Sequence, residues 1–94
     1  MSHRYDDSLS RGFDAGNYAN AYESENLSKA WKKRRVKQTS PAYRAAYVLG
    51  FFSSYETHEV PETYRDELIE AERTYGPRMR ALGIAVDERA EVGS

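Results

Sequence analysis

The stretch from Pro41 to Tyr55 reads PAYRAAYVLGFFSSY and contains one charged residue, whereas 31% of the whole chain is charged. It begins with a helix start signal, because the Ser40 hydroxyl can accept a hydrogen bond from a first-turn N–H and proline fits the first helical position. Aromatic side chains then recur at the spacing of one helix face, at Tyr43, Tyr47, Phe51 and Tyr55. The sequence therefore predicts a central apolar helix at about 41–57.

A buried strand is the alternative interpretation, since aromatic and β-branched residues cluster between Tyr47 and Phe52. Length favours the helix, because the stretch holds no turn signal and is longer than an ordinary strand. Gly50 lies inside this helix, where glycine costs about 1 kcal/mol relative to alanine. Its presence predicts a close crossing by a second helix.

A pattern similar to the one around Gly50 occurs near Gly16. The two patterns are Gly12-Phe13-x-x-Gly16-x-Tyr18 and Ala46-Tyr47-x-x-Gly50-x-Phe52. Two interpretations are open: a short pattern that recurs by chance, or two helices that cross closely at Gly16 and Gly50.

The composition bounds the class of protein. The 94 residues predict a single domain, 1–94, with flexible ends near 1–10 and 87–94. No cysteine occurs, which excludes disulfides and thiolate metal ligands and fits a cytoplasmic location. The start of the chain has no apolar segment of signal-peptide type, and the apolar run from Ala45 to Phe52 is too short to cross a bilayer. We therefore expect a cytoplasmic protein without a membrane partner.

Three flanking segments predict further helices. One is predicted at about 14–23, with Tyr18 and Tyr22 on one side, and another at about 26–38. Pro61 can occupy the first position of a later helix. An apolar stripe predicts that this helix extends to about residue 75, and Gly76-Pro77 predicts its end there. The stripe consists of Tyr64, Leu68, Ala71 and Tyr75. Together these patterns predict an all-α fold, a compact small bundle of three to four helices around the central apolar helix.

The predicted helix at 26–38 carries a basic cluster around Trp31. Its cations are Lys29, Lys32, Lys33, Arg34, Arg35 and Lys37. Lysine and arginine can hold a phosphate backbone, and an indole offers a surface on which a base can stack. The cluster is therefore a candidate nucleic-acid-binding site. The alternative is a solvated helix face with Trp31 anchored in the core.

Residues 56–72 hold seven carboxylates and one arginine. The candidate partner-binding residues are Glu59, Glu62, Asp66 and Glu70, the last three at the i, i+4 spacing of one helix face. Only Arg65 and Arg73 lie near enough in sequence to offset these charges. Such a face can dock on a basic protein groove by imitating phosphates. In the alternative, it pairs with the basic cluster of the same chain, and exposed pairs of that kind contribute only about 0–1 kcal/mol each.

His58 is the centre of the groupings that could support metal binding or catalysis. With two nearby glutamates it supplies fewer histidine or cysteine ligands than a zinc site needs. Ser53, Ser54 and Tyr55 precede it, yet no orienting acid or Gly-rich oxyanion turn accompanies them. We expect no enzymatic activity, no metal and no cofactor.

Two motifs resemble those of ribosome modulation factor and its relatives: Arg11-Gly12-Phe13-Asp14-Ala15-Gly16 and Tyr43-x-x-Ala46-Tyr47-x-x-Gly50-Phe51. This resemblance implies a small helical protein that associates with ribosomal RNA and ribosomal proteins. In its size, its polarised charge and its lack of a catalytic signature, the chain is also similar to accessory proteins of phages and mobile elements. That similarity implies a blocker of host machinery, of which anti-CRISPR proteins are one kind.

We therefore expect a non-catalytic binding protein. The first hypothesis is a stoichiometric inhibitor of the anti-CRISPR type that docks a charged, tyrosine-rich face on a protein or nucleoprotein complex. The alternative is an RNA- or ribosome-associated regulatory protein that uses the basic Lys29–Lys37 helix. The sequence leaves the oligomeric state open.

Overall fold

A computed structural model describes residues 5–23, 27 and 40–86. Within these ranges the chain forms three α-helices and no strand. The helices are α1 (Asp6–Tyr18), α2 (Pro41–Phe51) and α3 (Glu62–Ala81). A π-helical turn, Ala19–Glu23, extends α1, and a 3-10 turn, Thr57–Glu59, precedes α3. The predicted all-α bundle is thereby confirmed.

α2 begins as the sequence predicts and is the core element. The Ser40 hydroxyl accepts a hydrogen bond from the backbone N–H of Tyr43 at 3.2 Å, and Pro41 lies in the first turn. The residues that α2 buries are Ala42, Ala46, Tyr47, Val48, Leu49, Gly50 and Phe51. Because they cover more than one face, α2 lies between its neighbours and does not rest on a single partner.

α2 ends at Phe51, earlier than the predicted residue 57. Phe52 departs from helical geometry, with φ −101° and ψ 20°, and its side chain is only 2% exposed. Its ring contacts those of Tyr55 and Tyr64 at centroid distances of 5.2 and 6.1 Å. We attribute the end of α2 to the burial of these rings between α2 and α3, which outweighs local helix propensity.

α1 and α2 make the most extensive helix contact in the described structure. A Cβ on Gly16 would lie 2.7 Å from the backbone nitrogen of Phe51 and closer still to the carbonyl oxygen of Tyr47. A Cβ on Gly50 would collide in the same way with the carbonyl oxygen of Phe13. Since glycine has no side chain, the two backbones can touch. Of the two interpretations that the sequence left open, the close crossing of two helices at Gly16 and Gly50 is the one that the structure shows.

α1 begins at Asp6, so the predicted start of a first helix near Asp14 is wrong. Leu9 is fully buried, and Asp6 places a carboxylate at the positive end of the helix. Asp6 also accepts two hydrogen bonds from the Arg78 guanidinium of α3, at 2.9 and 2.6 Å. These bonds raise the pKa of Arg78. The local sequence could not predict that α1 starts at Asp6, because its partner Arg78 lies 72 residues away.

α3 continues through Gly76-Pro77 to Ala81, so the predicted end near residue 75 is wrong. Proline disfavours helix at the preceding residue partly through a clash with that residue's Cβ, and Gly76 has none. Beyond the proline, Met79 is fully buried in the core. The missing Cβ and the burial of Met79 together explain why the helix passes a proline.

The predicted helix at 26–38 lies outside the described residues, except for Leu27, which is buried in the core. The predicted flexible end at 87–94 also lies outside them, whereas residues 6–10 form the first turns of α1. None of the helices in 5–23 and 40–86 has both the length and the apolar character needed to cross a membrane.

Candidate acidic docking face

The acidic face consists of the four predicted carboxylates, Glu59, Glu62, Asp66 and Glu70. All four residues are exposed. On its opposite side, α3 buries Leu68, Ala71, Gly76 and Met79. Because the apolar residues face the core at three- to four-residue spacing, carboxylates spaced by four residues between them face outward. The structure therefore places the three helix carboxylates on one exposed face, with Glu59 just before its N-terminal end.

Two of the carboxylates have local partners. Glu59 accepts a hydrogen bond from the backbone N–H of Glu56 at 2.9 Å, as part of a capping box. Glu70 accepts one from the Thr74 hydroxyl at 3.2 Å and lies 3.6 Å from the guanidinium of Arg73. Both members of this ion pair are mostly exposed, so it neutralises Glu70 only weakly.

Glu62 and Asp66 form no ion pair with any described residue. Arg65 is the cation nearest to them in sequence, but its guanidinium is engaged elsewhere. It donates hydrogen bonds to the backbone carbonyl oxygens of Val60 at 3.0 Å and His58 at 3.2 Å. The centre of the acidic face thus carries negative charge that the described part of the chain does not neutralise.

A groove of about 430 Å³ lies beside the acidic face, between α2 and α3, and we call it the α2–α3 groove. Its apolar lining includes Ala45, Ala71 and Tyr75, and its charged lining consists of Arg44, Glu67 and Glu70. The Arg44 Nε donates to Glu67 Oε1 at 3.2 Å. Sequence reasoning missed this groove, because it forms only where the two helices pack. The only feature of the sequence that could have indicated the groove is Arg44, the single charged residue between Pro41 and Tyr55.

Two of the eight tyrosines are exposed, Tyr18 by 51% and Tyr22 by 78%. Their ring centroids lie 5.0 Å apart. Beside them the Asn20 side-chain amide donates to the hydroxyl of Tyr55 at 3.4 Å. This bond ties the π-helical turn after α1 to the segment that leads into the 3-10 turn.

The residues considered for catalysis lie in the segment after α2. The Ser53 hydroxyl donates to the Asn17 side-chain oxygen at 2.9 Å. Ser54 and His58 are exposed, and no hydrogen bond joins them within residues 40–86. Among the residues that the structure describes, no group of three or more His, Asp or Glu side chains is arranged to hold a metal ion. The basic cluster from Lys29 to Lys37 lies outside the described residues, so its role stays a prediction.

Comparison with known protein families, with curated proteins and with solved structures finds no match to this chain. The fold and the site define a small all-α protein in which one helix packs its apolar side on the core and presents a row of carboxylates to solvent.

Proposed function

We propose that this protein is a non-catalytic inhibitor of the anti-CRISPR type, which docks its acidic face and its exposed tyrosines on the basic surface of a protein or nucleoprotein complex. The observation that supports this best is the exposed row of Glu62, Asp66 and Glu70, of which the first two have no ion-pair partner among the described residues. Residues four apart on a helix rise by about 6 Å. Carboxylates at that spacing offer arginine and lysine side chains charge-assisted hydrogen bonds of the kind that a phosphate backbone offers.

Electrostatics favours a partner for this row. Like charges at i, i+4 cost an isolated helix a few tenths of a kcal/mol per pair, about 0.2–0.5. A basic surface removes that repulsion and steers the encounter, so association is expected to be faster at low salt than at high salt. Tyr22, the most exposed tyrosine, is an amphipathic ring of the type that anchors protein interfaces.

Reversal of the central charges tests the proposal. The variant Glu62→Lys/Asp66→Lys alters the acidic face, and Asp7→Lys/Asp14→Lys reverses two exposed carboxylates on α1 as a matched control. Both variants move the formal net charge from −1 to +3. We expect the α3 variant to capture at least about tenfold less partner from a lysate of the source cells, because the charge pairs that hold the partner become repulsive. The α1 variant is expected to capture as much as the wild type.

The readout is a quantitative pull-down with and without nuclease, on variants whose helicity matches the wild type by circular dichroism. Equal capture by the α3 and α1 variants would contradict the docking face. Capture that nuclease abolishes would support the alternative, an RNA- or ribosome-associated protein that uses the basic cluster from Lys29 to Lys37.

A further inference from the structure

The α2–α3 groove combines apolar walls with a fixed aromatic ring. Ala45 of α2 and Ala71 of α3 contribute small apolar side chains to its lining. The Tyr75 ring packs edge-to-face against Tyr5, with centroids 5.6 Å apart and an interplanar angle of 84°. This contact restrains the ring, so a ligand that stacks on Tyr75 loses little side-chain freedom on binding.

The charges of the groove favour a cation over an anion. Two carboxylates, Glu67 and Glu70, line it together with one guanidinium, that of Arg44. Arg44 bonds to Glu67 at 3.2 Å, which leaves Glu70 as the carboxylate shared between the groove and the acidic face. Arg44 offsets Glu67, and Glu70 lies 3.6 Å from Arg73 in a mostly exposed pair that neutralises it only weakly. The lining therefore keeps an excess of negative charge, which attracts a cation and repels a phosphate.

We propose that the groove receives an arginine side chain of the partner, an inference that rests on the proposed docking of the acidic face. The methylene stem of an arginine can pack on Ala45 and Ala71, while its planar guanidinium stacks on Tyr75 and bonds to Glu70. Lysine carries a compact point charge and lacks both the plane and the fork of donors. The groove, with a volume of about 430 Å³, is large enough to admit both the methylene stem and the guanidinium of an arginine side chain.

Hexa-arginine and hexa-lysine peptides, titrated into the whole chain by calorimetry, test this inference. We expect hexa-arginine to bind about five- to tenfold more tightly, because stacking on tyrosine adds to a charge attraction that both peptides share. Thr74→Phe fills the groove from an exposed position of α3, and Thr63→Phe places the same ring at an exposed position outside the groove. Thr74→Phe is expected to equalise the two Kd values, and Thr63→Phe to leave their ratio unchanged.

A second matched pair removes one charge at a time. Glu70→Gln is expected to reduce the preference for hexa-arginine over hexa-lysine. Asp66→Asn, outside the groove, is expected to lower the affinity for both peptides equally. If Thr74→Phe loses helicity, Glu70→Gln and Asp66→Asn test the arginine assignment without it. Equal binding of the two peptides by the wild type, binding of neither, or an unchanged preference in Glu70→Gln would overturn the arginine assignment. Failure of the proposed function is distinct, since Glu62→Lys/Asp66→Lys would then capture partner from the lysate as well as the wild type does.

Discussion

Alanine at Gly16 or at Gly50 is expected to lower the free energy of unfolding by about 2–3 kcal/mol, although alanine is the better helix former. The added Cβ would meet backbone atoms of the facing helix: Tyr47 and Phe51 for Gly16, and Phe13 for Gly50. Backbone cannot rotate away as a side chain can, so α1 and α2 must separate and lose packing along their crossing. This loss exceeds the gain in helix propensity, which is about 1 kcal/mol.

Urea denaturation followed by circular dichroism measures this effect. Ser10→Ala, on the exposed side of α1, is the control, because it raises helix propensity without a buried contact. It is expected to change the free energy of unfolding by no more than about 0.5 kcal/mol. Stability equal to wild type in Gly16→Ala and Gly50→Ala would contradict the close crossing.

Alanine at Phe52 is expected to cost about 3–5 kcal/mol, a large share of the stability of a domain of this size. The Phe52 ring is 2% exposed and contacts the rings of Phe51, Tyr55 and Tyr64 at centroid distances of 5.0, 5.2 and 6.1 Å. Its removal leaves a cavity where the end of α2 meets α3. Tyr22→Ala removes an exposed ring and is expected to change stability by no more than about 0.5 kcal/mol.

Thermal and urea unfolding of the two variants provide the comparison. If Phe52→Ala were as stable as Tyr22→Ala, the rings between α2 and α3 would not be the reason that α2 ends at Phe51.

Local sequence was sufficient for the start of α2 and for a close approach at Gly50. Ser40 and Pro41 determine where α2 begins, and the aromatic spacing indicated that Tyr47 and Phe51 are buried. Gly50 indicated a close approach because glycine inside a helix is unfavourable unless its missing Cβ is needed. The exposure of Glu62 and Asp66 also followed from helical spacing alone.

Features that depend on distant residues could not be predicted in this way. The start of α1 at Asp6 involves Arg78, and the passage of α3 through Pro77 involves the burial of Met79. Whether a cation neutralises the acidic face depends on the partner of Arg65. An arginine three or four residues from a carboxylate on a helix can bond either to that carboxylate or to a backbone carbonyl, and Arg65 bonds to carbonyl oxygens. The α2–α3 groove arises only from the packing of two helices.

Competition with a nucleic acid is the most direct measurement of the proposed docking. If the acidic face imitates phosphates, this protein and a nucleic acid cannot occupy the same basic surface of the partner together. Partner captured from nuclease-treated lysate would be bound to a fluorescent oligonucleotide, and the anisotropy followed as this protein is added. We expect the wild type to displace the oligonucleotide stoichiometrically and Glu62→Lys/Asp66→Lys to displace none. An oligonucleotide that stays bound while the wild-type protein joins the same complex would contradict the proposal.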